Sequence, residues 1–131
     1  YLHERYGSNE SIVFLGSIYD MDTLDNLRYY SNLYFHGHSV GGTNPSLLEA
    51  MSCNCCIVAH DNVFNKSILN QDAFYFSDEQ QLSEWLFLNK QEDDILLKIA
   101  SNRNKIKNQY DWDVINTKYL EFIKQCLKEK K

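Results

Sequence analysis

Short apolar blocks fill the first half of this chain, and longer amphipathic stripes fill the second. Tyr1 to Tyr6 reads as the tail of a helix stopped at Gly7. Ser11-Ile-Val-Phe-Leu-Gly16 is a continuous β-branched, apolar run closed by glycine, which predicts a buried strand over Ile12 to Leu15. From Asp20 to Ser31 the apolar positions Leu24 and Leu27 recur at helical spacing, with Asp20 as the N-cap. Leu33 to Phe35 is a second strand, Cys55 to Ala59 a third, and Ala73 to Phe76 a briefer fourth. A short helix near Asn65 to Leu69 separates the last two.

The remainder is helical. Asp78 and Gln81 form a capping box ahead of a helix carrying Leu82, Trp85 and Leu86. A helix from about Glu92 to Asn108 aligns Ile95, Ile99 and Ile106. The last begins after Asp111 and sets Trp112, Ile115, Tyr119, Phe122 and Cys126 at spacings of three and four. Repeated strand–helix alternation before a helical tail predicts an α/β fold: a Rossmann-like parallel sheet of about four strands with flanking helices. No internal repeat, low-complexity segment or linker interrupts the chain, so residues 1–131 read as a single domain.

Composition narrows the function. A net charge of −5 argues against a non-specific nucleic-acid surface. The basic cluster Lys128-Glu-Lys-Lys is a solvated helix end. No apolar run approaches a membrane span, and Tyr1-Leu-His-Glu-Arg is not a signal peptide. Cys53, Cys55, Cys56 and Cys126 match neither zinc-ribbon nor redox spacing, which implies a reducing, cytoplasmic compartment.

Candidate chemistry concentrates between His36 and Cys53. Gly41-Gly42 permits a tight turn and close approach by a ligand, Asn44 is a good N-cap, and Pro45 suits the first helical position. The helix that follows should present free N–H groups and its positive dipole end to a phosphate or another anion. At about 100° per residue, Leu47, Leu48 and Met51 share one side, while Glu49 points away from them. Glu49 is either a solvated glutamate or a carboxylate accepting hydroxyl hydrogen bonds from a ribose. Ser17, Ile18 and Tyr19 end the first expected strand, where doubly wound folds place ligands. His36 and His38 alternate on one face, but nothing nearby completes a tetrahedral metal set, so no metal site is expected. A role in holding the loop, or a hydrogen bond to a bound sugar, suits them better. His60 and Asp61 lie on the same expected rim.

The run His-Gly-His-Ser-Val-Gly-Gly-Thr-Asn-Pro-Ser-Leu-Leu-Glu-Ala-Met, residues 36–51, resembles the donor-site segment of retaining nucleotide-sugar-dependent glycosyltransferases. These are bacterial enzymes with two Rossmann-like domains, the GT-B fold of glycosyltransferase family 4. The resemblance is closest to a subgroup described as rhamnosyltransferases of surface-polysaccharide assembly. It is weaker over Ile12 to Asp20 and at Tyr110-Asp-Trp-Asp-Val. It implies that Glu49 holds the donor ribose and that Ser17, Ile18 and Tyr19 lie against the nucleobase. It also implies that His38, Gly41, Gly42, Thr43, Asn44, Ser46 and Leu47 surround the diphosphate and sugar. The family's other glutamate, which contacts the transferred sugar, falls at Gly41, so that carboxylate has no counterpart here. No resident cofactor is implied; the sugar nucleotide would be the donor substrate, and the acceptor a glycan or a lipid-linked acceptor.

The same resemblance makes this chain the later part of a longer enzyme. A preceding domain would bind the acceptor and would place the whole peripheral to the inner membrane, and earlier strands would supply an Arg and a Lys to the diphosphate. Two central strands of the sheet would then be absent, and unpaired strand edges together with the face of Trp112, Tyr119 and Phe122 predict self-association. A non-catalytic α/β nucleotide-binding or signalling module is the alternative. Against a receiver, no aspartate ends the Phe35-His36-Gly37 stretch; against a flavodoxin, Gly16-Ser-Ile-Tyr is no phosphate loop. A nucleotide-sugar epimerase shares the architecture but not this loop.

Overall fold

The computed structural model describes residues 1–87 and 92–129. Helix α1 (Leu2–Tyr6) and helix α2 (Met21–Tyr29) precede strand β1 (Tyr34–His36). Then come α3 (Pro45–Ser52), β2 (Ile57–His60), α4 (Val63–Leu69), β3 (Phe74–Phe76) and α5 (Glu79–Phe87). Helix α6 (Glu92–Lys105) passes into a π-helical turn (Ile106–Tyr110), and α7 (Trp112–Glu129) closes the described chain.

The three strands pair in parallel in the order β1-β2-β3, with α3 and α4 as crossovers. Parallel strands need such crossovers and are covered on both faces, which explains why β2 reads as an unbroken apolar run. Ile57 and Ala59 of β2 pack into one core with Leu47, Ala50 and Met51 of α3 and Ile68 and Leu69 of α4, and Val58 between them is buried as well. Leu47 is thus fully buried on α3, whereas Leu48 is half-buried at the edge of the core. Cys53, Cys55 and Cys56 are free and buried, and burial pushes the Cys55 thiol up to about 11, an unreactive thiol acting as a small hydrophobe.

Three of the expected strands form, but the stretch Ile12 to Leu15 does not. It has no regular structure, and Val13 and Leu15 are 75% and 57% exposed. A strand exists only where a neighbour takes up its N–H and C=O groups, and β1 pairs only with β2 among the described residues. Phe14 instead rests on the His3 ring of α1, with centroids 4.9 Å apart. The closing helix departs from expectation too. Its stripe forms, but Trp112, Tyr119, Phe122 and Cys126 face solvent, and only Val114 and Ile115 are partly covered. The side chain of Trp85, expected on the inner face of α5, lies outside the described set. Asp78 caps α5 through Gln81 N at 2.8 Å, while the Gln81 side chain accepts from Ser77 N at 3.0 Å.

Helix α6 is fastened to the β3 entry by a polar knot. Lys105 Nζ lies 2.6 Å from Asp72 Oδ2, Ser101 donates to the same oxygen, and Asn102 donates to the Asp72 carbonyl. Burial raises the Asp72 pKa, but the Lys105 and Ser101 hydrogen bonds outweigh it and leave it below its ordinary value. A lowered folded-state pKa means that the contribution is complete above about pH 4 and is lost as pH falls through the lowered value. Asp72→Asn should therefore lower the urea midpoint at pH 7, and the gap to the parent chain should narrow as the pH falls through the acid range. A gap that stays constant with pH would show that the charge is not what matters.

Candidate functional site

The carboxyl ends of parallel strands are where doubly wound folds bind ligands, and here β1 and β2 end side by side at His36 and His60. The chain leaves both strands through loops whose backbone carbonyls have no strand partner. Two asparagines take them up. Asn65 Nδ2 donates to the carbonyls of His38 (3.1 Å) and His60 (2.9 Å), and Asn62 Nδ2 donates to the His38 carbonyl at 2.9 Å. Asn62 Oδ1 meanwhile caps α4 by accepting from Asn65 N at 2.9 Å. Lys66 pairs with Asp61 at 2.6 Å on the outer side.

Between these loops lies a cleft of about 160 Å³. Its walls are His36 and His38, the segment from Val40 to Pro45, and Phe64 and Asn65 of α4. Asn44 caps α3 as its sequence predicts, accepting from Ser46 N at 3.0 Å and from Ser46 Oγ at 2.7 Å. Leu47 N and Leu48 N both reach the Asn44 carbonyl, and Pro45 has no N–H. The first-turn donors expected to be free are therefore already taken. The amides of Gly41, Gly42, Thr43 and Asn44 in the preceding loop have no protein acceptor among the described residues. Of the donors that the sequence offers to an anion, the loop amides remain and those of the first helical turn do not.

His36 is the unusual member of the wall. It is 1% exposed, its Nε2 has no hydrogen-bond partner among the described residues, and its ring stacks on His38 at 4.7 Å. Tyr34 continues the stack at 6.3 Å, as the alternation of a strand dictates. Burial, and then the neighbouring His38, hold the His36 ring below its ordinary pKa, so it is neutral at pH 7.

Glu49 does not line the cleft. It faces α2, where its Oε2 lies 2.5 Å from Arg28 Nη2, and Arg28 also reaches Asp25 at 3.1 Å. Burial lowers the Arg28 pKa, but Glu49 and Asp25 outweigh it and raise it. Glu49 is thus neither plainly solvated nor part of the cleft; it ties α3 to α2. Ser17, Ile18 and Tyr19 precede α2 without regular structure and do not line the cleft either. Ile18 is half-buried and Tyr19 is 88% exposed, while Asp20 beside them caps α2 through Thr23 N at 2.8 Å. Asn62, Phe64 and Asn65 escaped the sequence reading. The signal for Asn62 was present, since an asparagine before an apolar pair is a helix start.

A larger groove of about 720 Å³ runs past Tyr29, Asn54, Ile99, Arg103 and Lys107, near the amino end of β2. Asn54 shortly precedes β2, so this groove and the cleft lie towards opposite ends of that strand. Among the described residues, no group of three or more His, Cys, Asp or Glu side chains is placed to hold a metal.

Gly41 and Gly42 separate two effects. Gly41 has φ +128°, so any side chain there is strained, whereas a Cβ at Gly42 meets nothing within 4 Å. Gly41→Ala should therefore cost about 1 kcal/mol or more of stability. Gly42→Ala should leave the thermal midpoint nearly unchanged while weakening any ligand seated on the loop amides. A Gly42→Ala protein that is destabilised as much as Gly41→Ala would contradict this division. No protein-family model matches this chain, and no curated protein matches it either.

Proposed function

We propose that this chain carries the donor half-site of a glycosyltransferase that uses a nucleoside diphosphate-sugar, with a hexose or deoxyhexose such as rhamnose as the transferred group. The observation that carries the reading is the loop of unpartnered amides, Gly41 to Asn44, at the joined carboxyl ends of β1 and β2. Such amides, with the amino end of α3 behind them, favour a diphosphate and the charge that develops as it leaves. The run from His36 to Met51 supports the same reading by its resemblance to the donor segment of those enzymes. Gly41 stands where they have a sugar-contacting glutamate, and its φ of +128° is a backbone that a glutamate rarely adopts.

In this reading Glu49 holds the ribose with the oxygen that Arg28 leaves free, and the Arg28 pair fixes its direction. Ser17, Ile18 and Tyr19 belong to the base end of the donor, beside α2. The acceptor, a glycan or lipid-linked glycan, approaches from outside this chain. No Lys or Arg lines the cleft among the described residues, so cationic help for the leaving diphosphate comes from elsewhere. That same feature favours a second reading, a nucleotide-binding module without transfer activity, in which ligands bind and no sugar is released.

Isothermal titration with UDP, dTDP and GDP tests the reading. One of them should bind, and Glu49→Ala should weaken it about tenfold or more. The Arg28 side chain is 11% exposed and that of Glu49 39%, so the same change should also cost about 1 kcal/mol of stability. Lost stability with unchanged affinity would make Glu49 a structural tie only.

Self-association belongs to the same proposal. The exposed run Ile12 to Leu15, the open side of β1 and the apolar face of α7 are surfaces of the kind that interfaces cover. Among the described residues no helix is long and apolar enough to cross a membrane, so that face is not a span. Sedimentation at micromolar concentration should show a dimer or larger species, and Phe122→Glu should shift it towards monomer. A monomer at all concentrations would reject it.

A further inference from the structure

The groove of about 720 Å³ near the amino end of β2 follows one stripe of α6, and Asn54 of the turn between α3 and β2 lines it too. Leu96, Ile99, Arg103 and Lys107 recur at spacings of three and four, so the stripe is graded along the helix. Its amino half is apolar, with Leu96 55% exposed, and its carboxyl half is cationic. No Asp or Glu lines the groove. The two cations differ from their neighbours. Arg28, Lys66, Lys98 and Lys105 each pair with a carboxylate. Arg103 and Lys107 have no ion pair or side-chain hydrogen bond among the described residues. A helix dipole draws cations to this end of α6, but it draws Lys105 equally, and Lys105 is paired. In a chain of net charge −5, two adjacent unpaired cations make a local place for an anion.

Asn54 is an independent sign. It follows the end of α3 at φ +60°, the left-handed position that glycine fills most easily. Its Oδ1 is buried without a partner, which is a second cost. Glycine would carry neither. The Asn54 Nδ2 is unbonded as well but is not buried, so the residue brings one free donor to the groove it lines. A π-helical turn, a distortion frequent at functional sites, begins at Ile106 and carries Lys107.

We propose that this groove binds a small amphipathic phosphate, its head held by Arg103, Lys107 and Asn54 and its apolar chain laid along Ile99 and Leu96. The guanidinium fork and the ammonium suit a phosphate monoester, and the graded stripe sets the direction in which the molecule lies. The occupant is a single molecule, because polyanionic surfaces such as nucleic acids and acidic bilayers repel a chain of net charge −5. The site is separate from the cleft and does not rest on the nucleotide-sugar reading.

Isothermal titration of the full chain with octyl phosphate, inorganic phosphate and 1-octanol, each below the concentration at which it aggregates, tests the inference. Octyl phosphate should bind about tenfold or more tightly than either of its halves. Arg103→Gln and Lys107→Gln should each weaken it about tenfold, and Leu96→Ser should bring it down towards inorganic phosphate. Asn54→Gly is the most discriminating variant: it should weaken octyl phosphate while the thermal midpoint stays level or rises. Four results would overturn the inference. Octyl phosphate does not bind; inorganic phosphate binds equally well; 1-octanol binds equally well; or the affinity is indifferent to Arg103→Gln, Lys107→Gln and Asn54→Gly.

Discussion

A single buried amide governs the shape of the site. Asn65 is 4% exposed, and its Nδ2 bridges the carbonyls that end the two neighbouring strands, at His38 and His60. Each such bond contributes only about 0.5–1.5 kcal/mol net, so the bridge matters more for where it holds the two loops than for the stability it adds. The bridge also fixes α4 against the loop after β1, so that Phe64 of α4 lines the same cleft as Val40 and Pro45 of the loop. Without it the two loops would part, and the cleft would become open surface. Asn62 doubles the clamp and caps the helix on which Asn65 sits, so the helix start and the cleft wall are one device.

The rest of the molecule supports that device from behind. Strand β2 is buried along three of its residues and anchors both neighbours, and α3 lays Leu47, Ala50 and Met51 against it. The loop amides from Gly41 to Asn44 are therefore presented from a rigid base, which is what preorganised donors require. Two ionic ties brace the periphery: Arg28 with Glu49 between α2 and α3, and Lys105 with Asp72 between α6 and the β3 entry. Both cations are largely covered, so each tie fixes geometry more than it adds stability.

Local signals carried well wherever the decisive contact lies within a few residues. The caps at Asp20, Asn44 and Asp78 were legible because a cap is a contact across two or three positions. The three observed strands were legible from their apolar runs. Ile12 to Leu15 carries an equally good run and is not a strand, because strand formation depends on a neighbour that periodicity cannot reveal. The stripe on α7 was legible as a stripe, though not as an exposed one. At the site, the loop and His36 were visible in the chain, but Phe64 and Asn65 reach it only through the crossover after β2. Glu49 pointed away from the core as its helical angle requires, and what it met there, Arg28, lies 21 residues earlier.

The central claim is that the loop amides at the ends of β1 and β2 receive the donor diphosphate. Backbone amide shifts in a ¹H–¹⁵N correlation spectrum report this directly as a sugar nucleotide is added. The account predicts the largest shifts at Gly41, Gly42, Thr43 and Asn44, with smaller ones at Phe64 and Asn65. Shifts gathered instead around Asn54, Ile99 and Arg103, with the Gly41 to Asn44 amides unmoved, would contradict it.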